Sequence, residues 1–534
     1  MSRSLNLATF DGVIIGGGHN GLTLGAYMSR AGLKVCVLER NDVIGGGCST
    51  AEPALPGFRF NLHSNFYIAW ASAPLTHDLE LYRYGFSTIE PPVQQGIALR
   101  DGTALTIHKD VEKSCASIAR FSRRDAETYR ELHETFAVKM RPLFASLMYN
   151  PPLAPDALRD RLSGPLGKEY LSFAQIDLFT AVERRFEDFR IRMLFKLLLH
   201  AGAGENAPGT GLALPAMISA LTGNALPVGG SASLPLALAR AIEAGGGTVL
   251  TNADVREIRI TGGRASGVKL GDGTLIEGRR FVASAINAPA TMALAGEERF
   301  PAPVREKLQG WQWGTHSLVT LHLALNSAPD YAAAAFDPDM NRAFNVLFGF
   351  DDDKQIDACF AQIRNHEFPE HLIGNGACHS LFDPSYAPAG KHVAFWYPFA
   401  PYALHDGPEG WDRRRDEYAA RILDRWRCYA PNLKGDNLLA TWLYTPRDIT
   451  RFNANMVDGA IRMGAFVPSQ LGINRPHPLL SDYRTPVEGL YLAGSSNHGG
   501  GANGAPGYNA ANIIAGDLQL KRSWTSVPAP EWRT

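Results

Sequence analysis

The sequence predicts an α/β fold in which a doubly wound domain of the Rossmann type is interleaved with an α+β domain of mixed sheet plus helices. Three observations predict it. A strand–glycine–helix–strand unit opens the chain, two further glycine-bounded units lie near residues 227–260 and 481–518, and the stretches between carry helical periodicity or short apolar strands. At 534 residues the chain is too long for one simple core, so two connected domains are expected.

The first unit is "DGVIIGGGHNGLTLGAYMSRAGLKVCVLER", residues 11–40. "GVII" reads as a buried strand, and Gly16, Gly18 and Gly21 fit G-x-G-x-x-G, with His19 and Asn20 between them. Gly16 permits a tight turn, Gly18 lets backbone amides approach a pyrophosphate, and Gly21 lets the next helix pack close to the strand. That helix, near residues 20–30, turns its positive N-terminal end to the phosphates, and Gly32 ends it. "KVCVLE" reads as a second parallel strand closed by Glu39, whose carboxylate accepts from a ribose diol and repels a 2′-phosphate. Strand, glycines, helix, strand and acid fall in register, which predicts dinucleotide binding. The G-x-x-x-x-G-K-[ST] loop of nucleotide triphosphatases is missing.

Past Glu39 and Arg40 comes a second glycine pair, Gly45 and Gly46, in "ERNDVIGGGCST". The pattern E-R-x-x-x-x-G-G resembles the flavoprotein superfamily that contains amine oxidases and phytoene desaturases. The resemblance implies FAD, with this loop passing the pyrophosphate and ribityl chain. Residues 227–260 read as a glycine turn, an amphipathic helix ending at Gly245–Gly247 and a strand pair around Val249 and Val255. They resemble the family segment in which a valine, here Val255, lies against the adenine. Residues 481–518, with the strand "GLYLAG" and the helix "GYNAANIIAGDL", resemble the family's C-terminal flavin segment. That resemblance implies flavin contacts from Gly494, Ser495, Gly504, Tyr508 and Asn509.

Nearly the whole chain is similar to the phytoene desaturase-like branch, in the subgroup of the mitochondrial pyridine nucleotide-disulphide oxidoreductase domain-containing protein. "GFRFNLHSNFY", "DLELYRYG", "AGAGENAPGTG", "PAGKHVAFWYPFAPYAL", "TPRDITRFN" and "NRPHPLLSDYRTP" carry that likeness. The redox dithiol of true disulphide oxidoreductases is missing, and "DGAIRMGAFVPSQ" has Met463 and Ser469 where many relatives carry His and Asp. The expected division is a discontinuous FAD-binding domain (1–104, 216–299, 471–534) and a substrate-binding domain (105–215, 300–470). In the latter, "DAETYRELHETFAVKMRPLF" and "FEDFRIRMLFKLLLH" read as helical, broken by "NPPLAPDA"; "SLVTLHLAL" and "HVAFWYPF" read as strands, and "DRRRDEYAARILDRWRCYA" as helix.

The resemblance implies a dehydrogenase or desaturase that transfers a hydride from an apolar or alicyclic C–H substrate to flavin N5 and forms a C=C bond. Oxidation of a C–N bond, isomerisation or saturation on the same scaffold, and a flavin-containing lipid-binding module without turnover stay open. Oxygen or a quinone is the expected electron acceptor. Aromatic candidates for an apolar pocket are Phe66, Tyr67, Trp70, Trp311, Trp313, Phe395, Trp396, Tyr397 and Trp442, each of which would equally serve plain core packing. Polar candidates for acid–base or anchoring roles are His63, Glu205, His316, Tyr397 and Tyr444, with Arg447 and His498 behind them. No metal is expected, since "DDDK" at Asp351 lacks a ligand pattern. Lys+Arg 52 against Asp+Glu 53 gives no field for nucleic acid. The six cysteines are scattered singly and read as reduced thiols of a cytoplasmic protein. There is neither a signal h-region nor a long apolar run; peripheral membrane contact is a secondary expectation from the lipophilic substrate. The sequence sets no oligomeric state.

Overall fold

A computed structural model describes residues 8–68, 70–198, 207–314, 316–501 and 503–528. Two sheets organise them. The first runs in the order Val255–Thr261, Arg264–Leu270, Leu275–Ser284, Ala8–Ile15, Val35–Leu38, Thr248–Leu250, and Leu490–Leu492 also pairs with Leu275–Ser284. Ala8–Ile15 is parallel to both of its neighbours, with Gly12 opposite Val35 and Ile15 opposite Leu38. Its apolar run faces two ways: Ile14, Val35 and Val37 enter one core while Val13, Ile15, Cys36 and Leu38 enter another. A strand covered on both faces has to read as continuous apolar sequence, as "GVII" and "VCVL" do.

Helices His19–Arg30, Ser233–Ala244 and Ala505–Asp517 cover the first of these faces. Helices Ala288–Ala295 and Ala302–Gln309 cover the second, placing Met292, Val304 and Leu308 in its core. This is the expected doubly wound arrangement. The strands around Val249 and Val255 do not pair with each other. Thr248–Leu250 extends the parallel edge beside Val35–Leu38, whereas Val255–Thr261 forms the opposite, antiparallel edge.

The second sheet has the order Leu438–Tyr444, Thr320–Leu325, His392–Ala400, Gly374–Ala377, Asn345–Phe348, Val93–Ala98, Ala104–His108, with Ser317–Leu318 also paired to His392–Ala400. The expected boundary at residue 104 falls where Val93–Ala98 pairs with Ala104–His108, so sheet membership carries both strands into the second layer. Successive residues of "HVAFWYPF" again take opposite faces. Phe395, Tyr397 and Phe399 face the helices of residues 111–198, and Trp396 joins Phe348 and Trp426 on the other side.

The helical stretch around residues 123–148 is not one rod. Ser122 caps Arg123–Leu132 through its hydroxyl on the Asp125 amide, a π-helical segment His133–Lys139 follows, and Pro142 lies in the first turn of Arg141–Met148. The break in "NPPLAPDA" is short, because Pro155 starts the helix Pro155–Arg161. No helix among the described residues is long and apolar enough to cross a membrane.

Candidate active site

The first sheet ends its opening strand at a cleft of about 430 Å³. Helix His19–Arg30 begins there with Gly18 as its cap, and neither a side-chain cap nor an acidic residue occupies its first turn. Its N-terminal end is therefore left to an anion. Gly18 is open on the cleft side: a methyl on its Cα would come no nearer than 3.9 Å to any protein atom, the first being Gly46 Cα. Gly21 is different, since a methyl there would stand 2.1 Å from the Gly16 carbonyl oxygen. One glycine leaves room for a ligand and the other lets helix and strand touch.

Glu39 closes the second strand at the other end of the cleft. It is 7% exposed, and its carboxylate accepts from the Gly17 amide at 3.0 Å and the Asn41 amide at 2.9 Å. Burial raises its pKa above the ordinary carboxyl value, against those two amides and the Arg40 charge, which pull it down. The second glycine pair docks on the first: the Gly45 amide donates to the Gly17 carbonyl at 2.8 Å. Asn20 Nδ2 donates to Ser495 Oγ at 2.8 Å and His19 Nε2 lies 2.7 Å from the Gly501 carbonyl, so the start and the tail of the chain meet at this point. Asn20 Oδ1 is buried without a partner, which is what a site built for a polar ligand leaves behind.

Of the sequence-predicted cofactor residues, Gly16, Gly18, His19, Asn20, Glu39, Arg40, Gly46, Val255 and Ser495 line this cleft. Gly21 and Gly45 stand behind its wall. Gly494, Gly504, Tyr508 and Asn509 do not reach it. Tyr508 packs edge-on against Tyr27 and Tyr149, with its hydroxyl accepting from the Val527 amide. Asn509 Nδ2 donates to the Met148 carbonyl and the Tyr483 hydroxyl. These residues pin the last helix to its neighbours. The cleft wall also includes Asn41, Asn287, Asn453 and Asn455. Asn455 Oδ1 takes both the Asn287 amide (2.6 Å) and its Nδ2 (2.8 Å), tying the segment after the helix Pro446–Phe452 to the rim. In the sequence "TPRDITRFN" stands out only as a likeness, with nothing in its spacing to connect it to the cleft.

A second cavity, about 370 Å³, adjoins the first: His19, Gly47, Met463 and Ser495 line both. One part of its wall is apolar, from Met148, Leu198, Met217, Leu221, Ile461 and Phe466; another carries Asn65, Gln95, Asn224, Asn375 and Tyr397. Among the described residues no Asp or Glu lines it, and Arg462 is its one permanent charge. Met463 stands at the junction and takes the Asn455 Nδ2 on its sulfur at 3.0 Å.

The polar candidates separate here. His63 and Tyr397 line the chamber. His63 Nε2 lies 3.3 Å from the Tyr444 hydroxyl, its Nδ1 is buried without a partner, and burial pushes the imidazole down to about 3, so it is neutral at ordinary pH. Tyr444 stands behind His63 and outside the wall. His316 lies away from both cavities, its ring against Phe360 and Phe399. Arg447 is held by Glu409 and Asp412 on the outside, and His498 Nε2 is tied to the Leu147 carbonyl at 2.6 Å. Glu205 lies outside the described residues. Of the aromatic candidates, Phe66 and Tyr397 line the chamber; Tyr67, Trp70, Trp311, Phe395 and Trp396 are core packing, while Trp313 packs against a core and Trp442 stacks on His322. No group of three or more His, Cys, Asp or Glu among the described residues could hold a metal ion.

Comparison with known proteins places this geometry in context. A family model described as flavin containing amine oxidoreductase matches residues 21–514. A limonene dehydrogenase chain of Castellaniella defragrans is 32% identical, covering 96% of each chain. Pyridine nucleotide-disulfide oxidoreductase domain-containing protein 2 of Mus musculus is 28% identical over 96% of this chain and 94% of its own. A phytoene desaturase (lycopene-forming) of Pseudescherichia vulneris is 26% identical over 95% of this chain and 99% of its own. Among solved structures, cyclohexylamine oxidase of Brevibacterium oxydans shares the fold with a TM-score of 0.58 at 16% identity, over 96% of this chain and 99% of that one.

Proposed function

The chain belongs to the flavin containing amine oxidoreductase family and is an FAD-dependent oxidoreductase; from that premise we propose that it removes two hydrogens from an apolar or alicyclic carbon skeleton and leaves a C=C bond. The observation that carries the proposal is a chamber, largely apolar and without a carboxylate among the described residues, that opens onto the dinucleotide cleft. A protonated amine taken into such a chamber would lose its hydration with no counter-charge among the described residues to replace it. The names of the relatives, limonene dehydrogenase and phytoene desaturase, support the same reading.

On this reading the first sheet forms the cofactor domain and the second the substrate domain. Bound in the cleft, FAD supplies a two-electron acceptor that takes a hydride from carbon. The helix end at Gly18 and the amides around Gly45 and Gly46 would hold the pyrophosphate, Glu39 the ribose diol, and Val255 the adenine. Asn20 and Ser495 would meet the ring end, where the two cavities join. Apolar side chains orient the substrate and exclude water; each large one they bury contributes about 1.5–3 kcal/mol. Desaturation releases a proton as well as a hydride, and two imidazoles line the chamber: His63, held neutral by burial, and His19, which burial pulls down but Cys48 and the Gly501 carbonyl raise above the ordinary value. Oxygen or a quinone would serve as the electron acceptor.

Amine oxidation is the second reading, favoured by the family's description and by the solved cyclohexylamine oxidase. Mixing the purified yellow protein anaerobically with cyclic monoterpenes and, separately, with cyclohexylamine or putrescine separates the two. Bleaching by the carbon substrates alone is expected; bleaching by the amines alone overturns the proposal.

A further inference from the structure

The polar part of the chamber wall is a directed string of amides. Gln95 and Asn345 are paired neighbours on the parallel strands Val93–Ala98 and Asn345–Phe348. Asn375 and Tyr397 are paired neighbours on the antiparallel strands Gly374–Ala377 and His392–Ala400. The string crosses four strands of the second sheet on the face that meets the chamber. Its direction follows from its first member. The Leu221 carbonyl can only accept, so the end of Gln95 that lies 3.4 Å from it is the donor, Nε2. Gln95 Oε1 then accepts from Asn345 Nδ2 at 2.8 Å, and Asn345 Oδ1 accepts from Asn375 Nδ2 at 2.8 Å. The same Asn375 Nδ2 donates its other proton to the Tyr397 hydroxyl oxygen at 2.6 Å. A backbone carbonyl thus fixes the orientation of each amide in turn, as hydrogen-bond networks do for side chains whose O and N look alike.

At the end of the string Asn375 has used both of its protons. Its side chain is 1% exposed and lines the chamber, and its Oδ1 is buried without a partner. A buried carbonyl oxygen left in that state is destabilising unless something donates to it. Met217, Leu221 and Phe466 provide apolar surface beside it, Asn65, Asn224 and His63 are further polar members of the wall, and the chamber's cation, Arg462, stacks on Phe466 with its Cζ 4.6 Å from the ring centroid.

We propose that the substrate is an alicyclic alcohol, recognised by a hydrogen bond from its hydroxyl to Asn375 Oδ1 while its carbon ring lies on Met217, Leu221 and Phe466. The proposal concerns recognition, and it rests on the reading of the chamber as the substrate site. A hydrocarbon leaves the end of the string unsatisfied. A ketone brings a second acceptor to it, and so is disfavoured more strongly.

The test is equilibrium binding to the FAD-loaded protein, by titration calorimetry, of a matched set built on one monoterpene skeleton: hydrocarbon, secondary alcohol, ketone and carboxylate. The alcohol is expected to bind at least tenfold tighter than the hydrocarbon and tighter still than the ketone. Asn375→Leu is expected to remove that preference, leaving hydrocarbon affinity within about threefold of wild type. A ketone that binds best overturns the proposal, because the string then runs the other way. Equal affinity for alcohol and hydrocarbon overturns it too, as does a carboxylate that binds best, since Arg462 is then the anchor. If Asn375→Leu fails to fold, the wild-type ranking decides alone. The function proposed above fails by a different observation: alcohols that bind with the expected preference but never bleach the flavin, while amines do.

Discussion

Gly18 separates the cofactor from the fold more sharply than any other residue in the cleft. Its φ of −71° and ψ of 167° are ordinary extended backbone for any L residue, and its added methyl would touch no protein atom closer than 3.9 Å. In the protein without cofactor, Gly18→Ala therefore carries no strain, and by restricting the unfolded chain it should stabilise by about 0.4–1 kcal/mol. With FAD the same methyl stands where the pyrophosphate must pass close to the helix end. Crowding of that kind costs about 1–3 kcal/mol, which is roughly 5- to 150-fold in affinity. The assay has two arms on one preparation: thermal unfolding of the apoprotein, and reconstitution with FAD followed by quenching of flavin fluorescence. Gly18→Ala should keep or slightly raise the apoprotein Tm while weakening FAD binding. Gly21→Ala is the contrast, because its methyl lies 2.1 Å from the Gly16 carbonyl and should lower the apoprotein Tm itself. A Gly18→Ala protein that takes up FAD with wild-type affinity would refute the placement of the phosphates at this helix end.

Glu39→Gln should weaken FAD about tenfold or more and leave FMN, which has no adenosine ribose, unaffected; reconstitution with the two flavins in parallel measures this. Acid stability should be steep, because burial pushes His63, His322 and His379 each down to about 3, while the unfolded chain protonates them near 6.5. Their contribution is fully present above pH ~6.5 and is lost as pH falls toward 3, at up to about 1.4 kcal/mol per pH unit for each imidazole. His322 has neither ring nitrogen partnered and sits among Phe60, Phe395 and Trp442, so His322→Phe should flatten that slope by about a third in denaturant titrations between pH 6.5 and 4. An unchanged slope would contradict the assignment. Trp396 is 0% exposed and stacks on Phe348 with centroids 4.3 Å apart; Trp396→Ala should cost about 3–5 kcal/mol, read as a fall in the urea midpoint.

What could be read from the sequence follows the range of the interactions involved. Gly16, Gly18, Gly21 and Glu39 lie within one strand–helix–strand unit, whose register local spacing fixes, and the structure brings Gly16, Gly18 and Glu39 to one cleft with Gly21 behind it. Ser495 is reached through likeness of the tail, and it does meet Asn20. Tyr508 and Asn509 share that likeness but face the helix layer. The sequence "GYNAANIIAGDL" reads as a helix without saying which turn points to the cleft, since the helix is buried almost all round. The amide string is not legible at all. Gln95 and Asn345 are 250 residues apart, and a polar residue inside an otherwise apolar strand looks the same whether it serves a pocket or a turn. Asn453 and Asn455 escape for the same reason, since loop asparagines ordinarily signal turn chemistry. Most of the aromatics resolve toward packing, because a large ring is far more often needed to fill a sheet face than to line a cavity.

The most direct test of the account is a crystal structure of the holoprotein grown with FAD and soaked anaerobically with a monoterpene alcohol. The account predicts adenosine ribose on Glu39, pyrophosphate at Gly18, and the flavin ring ending between His19, Gly47, Met463 and Ser495, with the alcohol's carbon ring in the chamber beyond. Density that places the ring end of the cofactor away from that junction, or the alcohol outside the chamber, would contradict it.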